Sequence, residues 1–241
     1  MGRIQTGSIH KTGSIEETRM TANGRPTPAL AWQEMITGNE RFVAGEPLHP
    51  RQDVERRAEV AAGQEPIAAL FGCSDSRLSA EIIFDKGIGD LFVIRNAGQV
   101  ISESVIGSLE YAVAVLHVPL LVVLGHDSCG AVRAAIDSQT AGATPLPPHI
   151  AALISRIIPA VRRVAAEDGA FNAQGEIDPA KVDSRDVGRE HLRDTIAELL
   201  EQSELISDAI AAGTLAIVGA NYSLLVGRAE PDIIVGTIGT D

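Results

Sequence analysis

Apolar residues along the 241-residue chain gather in short runs separated by stretches of helical period. The runs are PIAALFG (66–72), LFVI (91–94), LLVVLG (120–125), LAIVG (215–219) and DIIVG (232–236). Each has the length of a strand, and the unbroken apolar character is what a strand buried on both faces requires. Between them the period lengthens. Leu30, Met35, Phe42 and Val43 predict a helix over 29–45 that stops at Gly45 and Pro47. A shorter helix is expected over 51–62 and helical spacing near 79–85. Val105, Leu109, Ala112 and Leu116 predict a helix over 103–117, and another starts near Cys129. After a proline-rich turn at 145–148, helices are expected over 149–166 and 186–212, with 167–185 as a surface connection. Strand–helix alternation of this kind predicts an α/β fold. The expected core is a mainly parallel sheet of about four strands, with a C-terminal edge strand and helices on both faces. Residues 1–28, rich in Gly, Ser, Thr and charge, read as a flexible arm preceding a single domain over 29–241.

Composition sharpens this picture. Aromatic residues are only 3% of the chain, so the core is aliphatic. The net charge of −12 repels phosphate, and nucleic acid is not an expected partner. No apolar run approaches the roughly 20 residues of a membrane-spanning helix, and the first 28 residues show no apolar signal core. Met1-Gly2 with Thr6 is too common a pattern to imply an acylated N-terminus. A cytoplasmic protein without a membrane partner is expected. Gly87-Ile88-Gly89 lacks the third glycine and the preceding strand of a dinucleotide fingerprint.

The chemistry concentrates where strands end. Cys73-Ser74-Asp75-Ser76-Arg77 follows the first apolar run, and Gly125-His126-Asp127-Ser128-Cys129-Gly130 follows the third. Open parallel sheets build their sites beyond the C-terminal ends of strands. Cys73, His126 and Cys129, the two cysteines being the only ones in the chain, make a donor set suited to zinc with a fourth position left open. Spacing alone leaves two buried apolar thiols as the other reading. Asp75 is placed to reach the open position, and Arg77 to hold that carboxylate. An N-cap aspartate beside a solvated arginine fits the same spacing.

CSDSR, IFDKGIGDLFVIRNAG, the EYAV of Glu110–Val113 and GHDSCGAV resemble the β-class carbonic anhydrases, as do the GNERF of Gly38–Phe42 and the AIVGANY of Ala216–Tyr222. The resemblance implies one zinc ion per subunit on Cys73, His126 and Cys129, and hydration of carbon dioxide to bicarbonate and a proton. The attacking group is then a zinc-bound hydroxide oriented by an Asp75–Arg77 dyad. In some family members the aspartate itself takes the fourth zinc position, a closed state that Asp75 would adopt in acid. Gln64 matches a substrate-bonding glutamine that often comes from across a dimer interface, while Phe92, Ala97 and Tyr111 match the pocket walls. A bicarbonate-inhibited subgroup carries tryptophan where this chain has Leu70. Arg95 and Tyr222 match the rest of that inhibitory site, which is therefore not expected here. Trp32 and the histidines other than His126 (10, 49, 117, 149, 191) read as packing or surface residues. A homodimer or homotetramer is implied, with the arm and first helix crossing to the partner. The rival readings are a carbon disulfide or carbonyl sulfide hydrolase on the same scaffold, and an inactive zinc-bound structural homologue.

Overall fold

The computed structural model describes residues 20, 24–140 and 142–238. Most of the expected arm lies outside them. Arg25 already belongs to the folded body, because its guanidinium donates to the carbonyls of Pro66 and Leu116. In chain order the elements are α1 (Pro28–Ala44), α2 (Val54–Glu59), β1 (Ala68–Cys73), α3 (Ala80–Ile83), β2 (Leu91–Asn96), α4 (Glu103–Ala114), β3 (Leu120–His126) and α5 (Gly130–Asp137). They continue with α6 (Pro148–Ile154), α7 (Ile158–Glu167), α8 (Ser184–Gln202), α9 (Glu204–Ala211), β4 (Ala216–Tyr222) and β5 (Ala229–Val235).

The sheet runs β2-β1-β3-β4-β5, with β1 to β4 mutually parallel and β5 antiparallel at the edge. This is the expected architecture. Pro231 sits in β5, where an edge position tolerates a residue with no N–H to donate. Strand alternation divides the core into two layers. Leu70, Val122 and Val218 face one side with Met35, Ile83, Val132 and Val161 from α1, α3, α5 and α7. Phe71, Val123 and Ile217 face the other, against Leu109 of α4, Leu192 and Ile196 of α8 and Ile206 of α9. Every residue of β1 and β3 is buried, which explains their uninterrupted apolar sequence.

Two expected helices are each broken in two. The segment expected over 186–212 divides at Ser203, whose extended backbone ends α8. Its hydroxyl then caps α9 by accepting from the Ile206 N–H and donates to Glu110. The segment expected over 149–166 divides before α7, where Pro159 lies in the first turn and cannot continue a helix from α6.

The GNERF segment is structural glue. Gly38 lies against the backbone that follows α3: a Cβ built there would stand 1.8 Å from the Phe84 carbonyl oxygen. Next to it, the buried Asn39 amide donates to the carbonyls of Ile83 and Gly227 and accepts from the Ala229 N–H. Arg41 pairs with the buried Asp85, whose carboxylate also accepts from the Leu48 and His49 N–H groups. Since the obstacle at Gly38 is backbone, Gly38→Ala is expected to destabilise the fold by about 1–3 kcal/mol. That loss would be read as a Tm about 2–4 °C lower per kcal/mol. An unchanged Tm would mean α1 slides freely on α3.

Candidate metal centre

β1 and β3 are neighbours, so their C-terminal ends deliver Cys73 and His126 to one rim of the sheet. Ser128 takes a left-handed φ of 52° and turns the chain back, so that Cys129 caps α5 beside them. The ligand atoms of Cys73, His126 and Cys129 all lie within 4.8 Å of one another, and all three residues are buried.

The hydrogen bonds fix what each donor can do. His126 Nδ1 stands 2.8 Å from the Asp127 carbonyl oxygen, which can only accept, so Nδ1 carries the proton. Nε2 is left as a buried lone pair without a partner, which is the form a metal ligand needs. The two sulfurs share one proton. A hydrogen bond from Cys129 is the largest influence drawing the Cys73 thiol down to about 4, and the neighbouring thiolate in turn pushes Cys129 well up. Backbone N–H groups also favour sulfur charge: Gly98 donates to Cys73 Sγ at 3.3 Å. The arrangement thus offers a negative charge and an unused imidazole lone pair around one point. Soft thiolates with imidazole in a compact set fit a zinc ion.

Asp75 and Arg77 form an ion pair. Arg77 Nε and Nη2 bind Asp75 Oδ1 and Oδ2 at 2.8 and 2.6 Å, and the Arg77 N–H adds a third bond to Oδ1. The arginine beside Asp75 holds its carboxyl well below the usual carboxylate range. Arg77 Nη2 also reaches the Ser128 carbonyl at 3.3 Å, tying the two loops together. With both oxygens turned to arginine, Asp75 stands apart from the three-residue donor cluster in this structure.

The expected pocket residues divide. Ala97 is exposed one residue beyond β2, at the rim that carries the donors. Gln64 is exposed ahead of β1, at the opposite end of the strand from Cys73. Phe92 pairs in register with Ala69, four residues before Cys73, or about 13 Å along the strand. Tyr111 packs on Phe92 with ring centroids 6.1 Å apart. One chain therefore does not gather Gln64, Phe92 and Tyr111 around its own donors. At the inhibitory-site positions, Leu70 is buried and Arg95 donates to the carbonyls of Cys73 and Asp75. The cavity between them is about 10 Å³, no more than one water occupies.

His191 takes the packing role of the two expected, at a position behind the donor loop. It is buried on α8, its Nε2–H donates to the Gly98 carbonyl at 2.7 Å, and burial lowers its pKa. Thr195, one turn on, donates to the His191 carbonyl at 2.8 Å, with the Gln99 carbonyl 3.4 Å away. α8 thereby holds the carbonyl of the same glycine whose N–H bonds Cys73. The clue in the sequence was spacing: Val187, His191 and Thr195 recur every four residues on the buried face of one helix.

The family profile described as "Carbonic anhydrase" matches residues 68–229. "Carbonic anhydrase 2" of Mycobacterium tuberculosis is 48% identical over 214 residues, covering 89% of this chain and 97% of that protein. "Carbonic anhydrase" of Mycolicibacterium smegmatis is 45% identical over 212 residues, covering 88% and 97%. Among solved structures, a β-carbonic anhydrase of Aspergillus fumigatus superposes with a TM-score of 0.63 at 23% identity, covering 83% of this chain and 90% of its own. One from Sordaria macrospora, described as tetrameric, gives 0.61 at 22% identity over 83% and 95%. At those identities the structural likeness concerns the fold.

Removing a donor should remove the metal. Cys73→Ser is expected to lose stoichiometric zinc on elemental analysis. His191→Leu is expected to keep its fold by circular dichroism but weaken zinc affinity about tenfold, as loss of support behind a ligand does. Competition with a chromophoric chelator measures this, and parental affinity in His191→Leu would dismiss the role of α8.

Proposed function

Because the chain belongs to the carbonic anhydrase family, we propose that it catalyses the reversible hydration of carbon dioxide to bicarbonate and a proton at a zinc ion held by Cys73, His126 and Cys129. The buried Cys-His-Cys cluster, with its unpartnered Nε2, is the observation that carries this reading. Bound there, zinc supplies the Lewis acidity that makes water a usable nucleophile.

The remaining work falls to side chains. The carboxylate of Asp75 is kept ionised by Arg77 and is an acceptor for a proton of the reacting water, directing an oxygen lone pair at carbon. Arg77 fixes the carboxylate plane through its bidentate grip. Ala97 leaves room at the rim for a small neutral substrate. Two thiolates would cancel the charge of a divalent ion and so weaken the Lewis acidity it supplies relative to neutral imidazoles, and activity is expected to rise toward alkaline pH. As pH falls, the Asp75 carboxylate, held ionised by Arg77, would be available to hold the metal itself, giving a reversible loss of activity.

A second copy of the chain completes the pocket. Gln64, Phe92 and Tyr111 are presented away from their own donor cluster, and Tyr111 and Val115 are exposed one helical turn apart on α4 beside the edge strand β2. An apolar face of this kind seats a symmetry mate. No described helix is long and apolar enough to cross a membrane.

Stopped-flow hydration of carbon dioxide with zinc quantification tests the reading. Zinc-loaded protein should be active, chelation should abolish the activity and zinc should restore it. A metal-replete sample inactive at pH 9 would overturn the proposal. Asp75→Ala should lower kcat/KM by about 100-fold or more. The depressed pKa of Asp75 means that the Asp75–Arg77 pair is intact above the ordinary carboxylate range and is lost only well below it. Protonation of Asp75 therefore does not explain a decline between pH 8 and pH 6. If that decline persists unchanged in the residual activity of Asp75→Ala, carboxylate competition is wrong.

A further inference from the structure

A cavity of about 360 Å³ opens between the start of α8 and the loop joining β4 to β5. Arg185, Arg189 and Arg228 line it. Arg185 and Arg189 are four residues apart in the first turns of α8 and so share one face, while Arg228 approaches from the loop. Most other described arginines meet carboxylates, Arg41, Arg51, Arg56, Arg77, Arg133 and Arg163 among them, although Arg57, Arg95 and Arg162 do not. The three cavity arginines form no ion pair with any described residue. Two carboxylates, Asp127 and Glu230, also line the cavity. Asp127 is engaged otherwise, accepting from the Leu224 N–H at 3.1 Å.

Arg185, Arg189 and Arg228 are exposed at this concavity and pair with neither of its carboxylates, so three guanidinium forks face one space in a chain of net charge −12. The positive end of the α8 dipole adds to the same field. We propose that this cavity binds a small anion carrying two or more negative charges, its oxygens taken by the forks of Arg185, Arg189 and Arg228. Guanidinium forks match phosphate and carboxylate oxygens two at a time. The volume lies in the range of small-molecule sites and exceeds what a four-atom monovalent anion fills. Asn221, also in the lining, offers a neutral polar contact. Cys73, Cys129, Asp75 and Arg77 are not part of this wall, and His126 contributes to it with Nε2 buried. The cavity therefore adjoins the metal centre through His126, while the charge it offers an anion comes from residues outside that centre.

Isothermal titration of the zinc-loaded protein at fixed ionic strength tests this, with inorganic phosphate and succinate as separate probes. One ligand per chain is expected for at least one probe. Saturation by phosphate alone assigns a phosphate-bearing ligand, and by succinate alone a polycarboxylate. The affinity should fall at least about tenfold in Arg185→Gln/Arg189→Gln, which removes two charge-assisted contacts. It should stay unchanged in Arg162→Gln, an exposed arginine on α7 away from the cavity. Neither probe binding, or equal affinity in parent and double variant, overturns the proposal. The second result would also follow from an anion bound at the metal alone.

Discussion

Two sulfurs brought within reach of each other in a buried place cannot both be ionised without a cation between them. Here the hydrogen bond between them draws the Cys73 thiol down and pushes Cys129 up, with the buried His126 Nε2 beside them. Much of the surrounding structure holds these groups close. The Gly98 N–H faces one sulfur, Arg95 clamps the carbonyls of Cys73 and Asp75, and Arg77 joins the two strand-end loops through Ser128. A divalent ion would answer the same electrostatic problem, with Cys73, Cys129 and His126 Nε2 as the groups able to hold it.

That arrangement depends on distant packing. Gly98 adopts a φ of 78°, and a Cβ there would come 2.9 Å from Ala131. Only glycine lets the loop come close to the first turn of α5 while its carbonyl faces His191 and its N–H faces sulfur. The ligand geometry is thus set by a helix nearly a hundred residues further along the chain.

The sheet was legible in the sequence because β1 and β3 are buried on both faces and leave no polar interruption. The donor set was legible because parallel strand ends are where such loops converge. What escaped was decided by tertiary contacts. Ser203 looks like an ordinary position inside an amphipathic stretch until its hydroxyl is seen to cap α9 and bond Glu110. His191 is one histidine among six until α8 is laid against the 98–99 loop. The motif matches identified Gln64, Phe92 and Tyr111, but motif order says nothing about which rim of the sheet a residue occupies. The strand register does.

Asn39 bears on how the molecule is made. Its single amide bonds residues 44, 188 and 190 positions away, joining the first helix to the turn and strand that complete the sheet. Contacts of such long sequence separation form slowly, since the intervening chain must first be ordered. During synthesis α1 waits for most of the polypeptide to emerge before this amide finds its partners. In the interval the apolar side of that helix is open to chaperones, and a ribosome stalled before residue 229 leaves it without its final anchor.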